Sequence, residues 1–98
     1  MTDKPKLFVT RPLPSSITDK LAIDFQTSLR QEVTGLKPQE ISKIFSEFDC
    51  VLTTFGDVFD ASDFRQGQRC KLLANYGVGY SHIDIQAAKA AGVTVTIT

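Results

Sequence analysis

What this sequence lacks removes several classes of function at once. No apolar run approaches the ~18 residues of a membrane-crossing helix, and the opening Met1-Thr2-Asp3-Lys4-Pro5-Lys6 has no apolar stretch of the kind that leads a chain to secretion. A cytoplasmic protein with no membrane partner is therefore expected. Neither sign of charge is in excess: eleven Lys and Arg balance eleven Asp and Glu. No positive field gathers nucleic acid, and no nucleic-acid partner is expected. Thiols are scarce too. Cys50 and Cys70 stand outside any CxxC pair or metal-ligand spacing, so both read as buried small hydrophobes in a reducing compartment. Repeats, low-complexity tracts and linkers rich in Pro, Gly and Ser are also missing.

What is present is an ordinary globular composition. With 42% hydrophobic and 22% charged residues, the 98-residue chain lies far from the signature of disorder and can build one modest core.

Apolar β-like runs alternate with segments of helical period. Leu7-Phe8-Val9-Thr10 is a first strand, stopped by Arg11-Pro12-Leu13-Pro14 because proline neither donates to a ladder nor enters a helix interior. Ser15 or Ser16 is placed to cap a helix carrying Ile17, Leu21, Ala22, Phe25 and Leu29 on one face. Glu32-Val33-Thr34-Gly35 supplies a short second strand. Pro38 then opens a helix with Ile41, Ile44, Phe45 and Phe48 at i, i+3, i+4 and i+7.

Cys50–Thr54 reads as a strand covered on both faces and Cys70–Tyr76 as a fourth strand, with a weak helical stretch near Asp60–Gln66 between them. Asp84 caps an Ala-rich helix, Ile85–Ala91, with Gly92 at its left-handed end, and the β-branched Val93–Thr98 makes a fifth strand. Strands are thus expected near residues 6–10, 31–35, 50–54, 71–76 and 93–97. Right-handed crossovers make this an α/β fold with a doubly wound parallel five-stranded sheet, flavodoxin-like, in the order 2-1-3-4-5.

Ligands of such sheets sit beyond the carboxyl ends of the strands, which directs attention to Thr10–Pro14, Phe55–Asp57 and Tyr76–Asp84. Gly77-Val78-Gly79 follows a strand directly, and two glycines one residue apart let backbone N–H groups approach a carboxylate or phosphate. On local pattern alone, the same glycines read first as only a tight turn. They are not a dinucleotide fingerprint: the third glycine of GxGxxG would fall at His82, and that fingerprint belongs to the first strand–helix turn of its domain. His82, the only histidine, reads as a loop residue, and Arg11 as a solvated arginine. Asp57, Asp60 and Asp63 lack His or Cys companions, so they read as turn and helix-start residues and no metal site is expected.

Taken as a string, Lys71-Leu72-Leu73-Ala74-Asn75-Tyr76-Gly77-Val78-Gly79-Tyr80-Ser81-His82-Ile83-Asp84, with Ala87-Ala88, Gly92-Val93 and Val95-Thr96 after it, closely resembles a signature of the D-isomer-specific 2-hydroxyacid dehydrogenases. The opening Val9-Thr10-Arg11-Pro12-Leu13-Pro14 is similar to that of the glyoxylate/hydroxypyruvate reductase branch, and Asp49–Thr54 sits where the family has its third strand. Ser81, where the family usually has Asp, and Ile97, where it commonly has Asn, depart from the pattern.

The resemblance implies that residues 1–98 are the N-terminal segment of a substrate-binding domain. It implies that the backbone N–H groups of Val78 and Gly79 hold the carboxylate of a small 2-keto or 2-hydroxy acid, with Phe55 close to the substrate unless it is an ordinary packing residue. The catalytic histidine, the substrate arginine and the NAD or NADP fingerprint are then expected beyond position 98. On that reading the parent is a homodimeric oxidoreductase reducing a 2-keto acid, whereas this chain alone binds no cofactor, is inactive and self-associates.

Two other readings compete. A receiver-type signalling module would need acidic residues after the first strand and an Asp closing the third, where Thr10-Arg11-Pro12 and Thr54-Phe55 stand. A stand-alone small-acid-binding or protein-interaction domain without catalysis is the other alternative.

Overall fold

The computed structural model describes residues 4–11, 13–31, 36–54, 58–65, 67–76 and 83–97. Five strands form one sheet: β1 (Lys6–Val9), β2 (Gln26–Leu29), β3 (Cys50–Thr54), β4 (Leu72–Tyr76) and β5 (Thr94–Ile97). Their order is β2-β1-β3-β4-β5, with every neighbouring pair parallel, as the alternation of patterns leads one to expect. Helices α1 (Ser15–Asp24), α2 (Pro38–Glu47) and α3 (Ile85–Ala90) and a 3₁₀ turn at Ala61–Asp63 make the crossovers.

The second strand lies earlier than expected. The chain is already extended at Phe25 (φ −129°, ψ 148°), whose N–H closes α1 on the Leu21 carbonyl at 2.9 Å. Gln26–Leu29 then pairs residue for residue with Lys6–Val9, so Leu29 is a strand residue and not the last of the helical face. Of the segment assigned to that strand from sequence, residues 32–35 lie outside the described residues. The expected serine cap is also replaced: Pro14 occupies the N-cap, and Ser15 is the first helical residue. Proline's fixed φ suits this entry, and no side-chain hydrogen bond caps it.

Crossover handedness makes the two faces of the sheet unequal. Only the β1-to-β2 connection moves toward one edge; the other three move toward the opposite edge, so the right-handed rule places α1 alone on one face. The α2/α3 face holds the larger core: Ile41, Ile44, Phe45, Val51, Phe59, Phe64, Cys70, Leu73, Ile83, Ala88 and Val93 are buried together. Phe45 stacks with Phe59 and Phe64, ring centres 5.6 and 5.5 Å away. Truncating Phe45 to alanine should cost about 3–5 kcal/mol. The α1 face buries only Leu7, Val9 and Leu52, and no residue of α1 itself is fully buried.

The remaining helix ends follow their sequence signals. Pro38 starts α2, where its missing N–H costs nothing, and Glu40 Oε1 accepts the Lys37 N–H at 3.0 Å. Asp84 Oδ1 accepts the Ala87 N–H at 3.0 Å, and Gly92 takes φ +81° after α3. The weak helical stretch is the 3₁₀ turn, held by a reciprocal pair. Asp60 Oδ1 accepts the Ser62 N–H at 3.1 Å and Asp63 Oδ2 accepts the Asp60 N–H at 2.9 Å, so both carboxylates do the turn-building work read from the sequence.

Candidate functional site

The carboxyl edge of the sheet is where this topology presents a site, and there the strand interiors change character. On the α2/α3 face one row crosses the sheet as Phe8, Val51, Leu73 and Val95, in register and apolar. Two residues further along the same strands the row becomes Thr10, Thr53 and Asn75. Thr53 is paired with Asn75, and Thr10 follows Val9, the partner of Leu52. All three are 0% exposed.

Arg30 extends the row past β2. Its N–H reaches the Val9 carbonyl at 2.9 Å, and its Nη1 donates to the Thr10 carbonyl at 3.3 Å. Its Nε lies 3.9 Å from Glu40 Oε2, so one buried guanidinium ties the ends of β2 and β1 to the first turn of α2. A buried charge persists only where it is paired and hydrogen-bonded in this manner. Arg11, one residue beyond Thr10, is half-buried with its Nε shielded from solvent, which corrects its reading as a solvated side chain.

The residues singled out from sequence follow, in the chain, the strands that end at this edge. Asn75-Tyr76 leads into Gly77-Val78-Gly79, and Thr53-Thr54 into Phe55. Phe55, Val78, Gly79 and His82 themselves lie outside the described residues, as does Asp57. The chain is described again at Ile83, which bridges to Phe59 in parallel, and the Asp84 N–H donates to the Phe59 carbonyl at 2.8 Å. The segments that follow β3 and β4 therefore rejoin each other directly above the core.

Sequence reasoning passed over Thr53, Asn75 and Arg30. A signal was available, because three apolar runs each end in a polar residue at corresponding positions: Val9-Thr10, Leu52-Thr53 and Ala74-Asn75. Only the register reveals that these are neighbours.

Other chemistry lies elsewhere. Cys70 is buried and Cys50 half-buried, a correction for the second thiol, and both are free. Desolvation pushes the Cys70 thiol up to about 12, so it is no nucleophile. Burial also raises the Asp63 carboxyl, against the lowering effect of the Asp60 N–H.

A cavity of about 470 Å³ opens between α2 and the 3₁₀ turn, lined by Ser42, Lys43, Asp63, Arg65 and Gln68. Its most buried polar groups are already engaged. Gln68 accepts the Arg65 N–H and donates to the Cys70 carbonyl, each at 2.9 Å, and Asp63 holds the turn. It is a groove among structural hydrogen bonds, not a convergence of strand ends. Among the described residues no three His, Cys, Asp or Glu side chains gather to hold a metal ion, and no helix is long and apolar enough to cross a membrane.

Comparison with known proteins agrees with this geometry. Residues 8–98 match the family model of the D-isomer specific 2-hydroxyacid dehydrogenase catalytic domain. Glyoxylate reductase of Pyrococcus furiosus is 30% identical over 95 residues, covering 97% of this chain and 28% of the relative. Hydroxypyruvate reductase of Thermotoga maritima is 28% identical over 93 residues, covering 95% of this chain and 30% of the relative. A solved structure from Polaromonas sp., of a protein assigned to the NAD-binding D-isomer specific 2-hydroxyacid dehydrogenases, superposes with a TM-score of 0.84 at 29% identity. That match covers 94% of this chain and 29% of the other. The chain thus spans under a third of the length of the relatives it matches.

Proposed function

Because the chain belongs to the D-isomer specific 2-hydroxyacid dehydrogenase family, we propose that residues 1–98 form the substrate-binding segment of an oxidoreductase that interconverts a D-2-hydroxy acid and its 2-keto acid. Glyoxylate or hydroxypyruvate is the substrate this reading favours, since relatives of both names align over nearly the whole chain. The observation that carries the proposal is the carboxyl edge. There β4, held between β3 and β5, ends at Tyr76, and Gly77-Val78-Gly79 follows it directly in sequence.

In this proposal the N–H groups of Val78 and Gly79 hold the substrate carboxylate, and Phe55 supplies an apolar wall near it. Backbone donors suit the task because they carry no titratable proton and cannot be neutralised near pH 7. His82 has no catalytic part.

NAD or NADP would supply hydride to the keto carbon. The residues present do not fit that cofactor. The β1–α1 connection is Arg11-Pro12-Leu13-Pro14, with no glycine, and the β4–α3 connection has His82 where a third glycine is needed. Cofactor binding and proton donation therefore belong to other parts of the enzyme, and this chain's share of the chemistry is to orient the acid. A cytoplasmic, homodimeric parent enzyme completes the reading.

The test is an absorbance assay of NADH and NADPH oxidation with glyoxylate and with hydroxypyruvate. The protein translated from the complete reading frame should turn over at least one of them, and the isolated 98 residues neither, because hydride transfer needs both reactants held about 3–3.5 Å apart. Cofactor oxidation by the 98 residues alone, or none by the complete protein, would overturn the proposal.

A further inference from the structure

The two outer strands of the sheet are guarded unequally. In the order β2-β1-β3-β4-β5, β2 and β5 each have one neighbour, so each turns a row of main-chain N–H and C=O groups to its outer side. At β2 the Gln26 N–H points inward to the Pro5 carbonyl, which leaves Phe25 and Thr27 facing out, and the Thr27 hydroxyl donates to the Phe25 carbonyl at 3.4 Å. One outward acceptor of that edge is thus occupied from within. At β5 the Thr94 N–H bonds the Lys71 carbonyl at 2.8 Å, so strand alternation turns the main chain of Thr94 and Thr96 toward β4 and that of Val95 outward. The side chains divide by face: Thr94 and Thr96 are exposed, while Val95 packs half-buried against the larger core. Val93–Thr98 carries neither charge nor proline, the residue types that commonly keep an edge strand from pairing.

We propose that the outer edge of β5 docks a second copy of this chain, the two β5 strands pairing antiparallel about a two-fold axis at Val95. The strand itself selects that partner. Thr94-Val95-Thr96 reads the same in both directions, so an antiparallel copy sets valine against valine and threonine against threonine. In this register the outward N–H and C=O of Val95 exchange bonds with Val95 of the second copy. Thr94 then lies opposite Thr96 of the second copy at a position without hydrogen bonds between the strands, where facing side chains come closest. Cross-strand threonine pairs are favourable there, and an uncharged strand opposes no like charges across the axis. The same patch is used twice, so the contact closes at two copies. A contact between two such short strands is small against the ~1,200 Å² of a stable interface, and the dimer is therefore weak and favoured by concentration. The inference rests on the sheet and not on which acid the chain orients.

The experiment is sedimentation equilibrium of the 98-residue chain from about 10 µM to 1 mM, with wild type compared to two double variants at the same exposed positions. Thr94→Lys/Thr96→Lys opposes like charges across the axis, and Thr94→Lys/Thr96→Glu opposes unlike ones. Wild type should show a monomer–dimer equilibrium. The first variant should dimerise at least about tenfold more weakly than the second, because each charge pair occurs twice in the dimer. Ile23→Asp, on α1 at the other end of the sheet, should leave the equilibrium unchanged. Amide hydrogen exchange gives a second readout on unmodified protein: the Val95 N–H should exchange more slowly at about 1 mM than at 0.05 mM, while the Val51 N–H, inside the sheet, should not respond. A wild type that stays monomeric to 1 mM, equal association of the two double variants, or association lost in Ile23→Asp would overturn the inference. If either double variant does not fold, the Val95 exchange decides: dependence on concentration upholds the β5 edge, and none defeats it.

Discussion

The two edges of the sheet solve the same problem, holding parallel strand ends together, with opposite materials. At the amino edge the agent is an exposed carboxylate. Asp49 Oδ2 accepts the Lys6 N–H at 2.8 Å and Oδ1 the Arg69 Nε at 2.9 Å, while the main chain of Asp49 bonds Lys6 and Lys71 on either side. At the carboxyl edge the polar residues Thr10, Thr53, Asn75 and Arg30 are all buried, and Arg30 Nη1 donates to the Thr10 carbonyl at 3.3 Å. Surface charges add little net stability and are readily exchanged, whereas buried polar groups cost stability wherever their bonds are imperfect. A chain that accepts the costly arrangement at only one edge, the edge where ligands of this topology bind, is investing in geometry at that place.

Substitutions can break or sharpen that contrast. The largest loss is expected for Asn75→Ala, about 2–3 kcal/mol by denaturant titration, since it removes a fully buried amide together with the interaction it makes. Thr53→Val should cost about 1–2 kcal/mol, because the volume is retained and only the hydroxyl is lost. Gly92→Ala belongs to neither edge and calibrates the scale. Its φ of +81° strains any side chain although nothing lies within 4 Å of the added methyl, so a loss of about 1 kcal/mol is expected.

The smallest effect should be at the amino edge, where Asp49→Asn is expected to lower Tm by only about 1–3 °C and less still in high salt. Its pH dependence has a definite sign. The hydrogen bond from Arg69, and then that from the Lys6 N–H, hold the Asp49 carboxyl below its ordinary range. The stability it contributes is therefore present above the unfolded-state value near 3.9 and is lost as pH falls through the lower folded-state value. Asp49→Asn should erase that acid-range component. An Asp49→Asn loss as large as that of Asn75→Ala would dissolve the contrast between the edges.

The two faces of the sheet invite a related test. Ile23 on α1 is 69% exposed, and the α1 face over β3 to β5 has only Cys50, Leu72 and Ala74 half-buried with Thr94 and Thr96 exposed. Exposed apolar surface tends to find partners where it is contiguous. Light scattering at micromolar concentration should show the 98-residue chain self-associating, and a strict monomer would contradict that expectation.

How much of this was legible in the sequence follows from what periodicity can see. The parallel order, Pro38, the Asp84 cap and Gly92 were legible because each depends on local pattern or on the handedness of crossovers. The second strand was misplaced because Leu29 fits helical spacing from Ile17, Leu21 and Phe25 as well as strand spacing, and only pairing with Lys6–Val9 decides between them. Of the site, the glycine segment was legible as a composition. The row beneath it was not, since Thr10, Thr53 and Asn75 are far apart in sequence and become neighbours only through register.

The central claim, that the carboxyl edge orients the acid while the cofactor is held elsewhere, is tested most directly by Gly79→Ala in the complete enzyme. With cofactor saturating, kcat/KM for the keto acid should fall by about tenfold or more while cofactor affinity changes little, because in the proposed role a methyl group would crowd the backbone that holds the carboxylate. An unchanged kcat/KM for the acid, or a loss that falls on the cofactor instead, would contradict it.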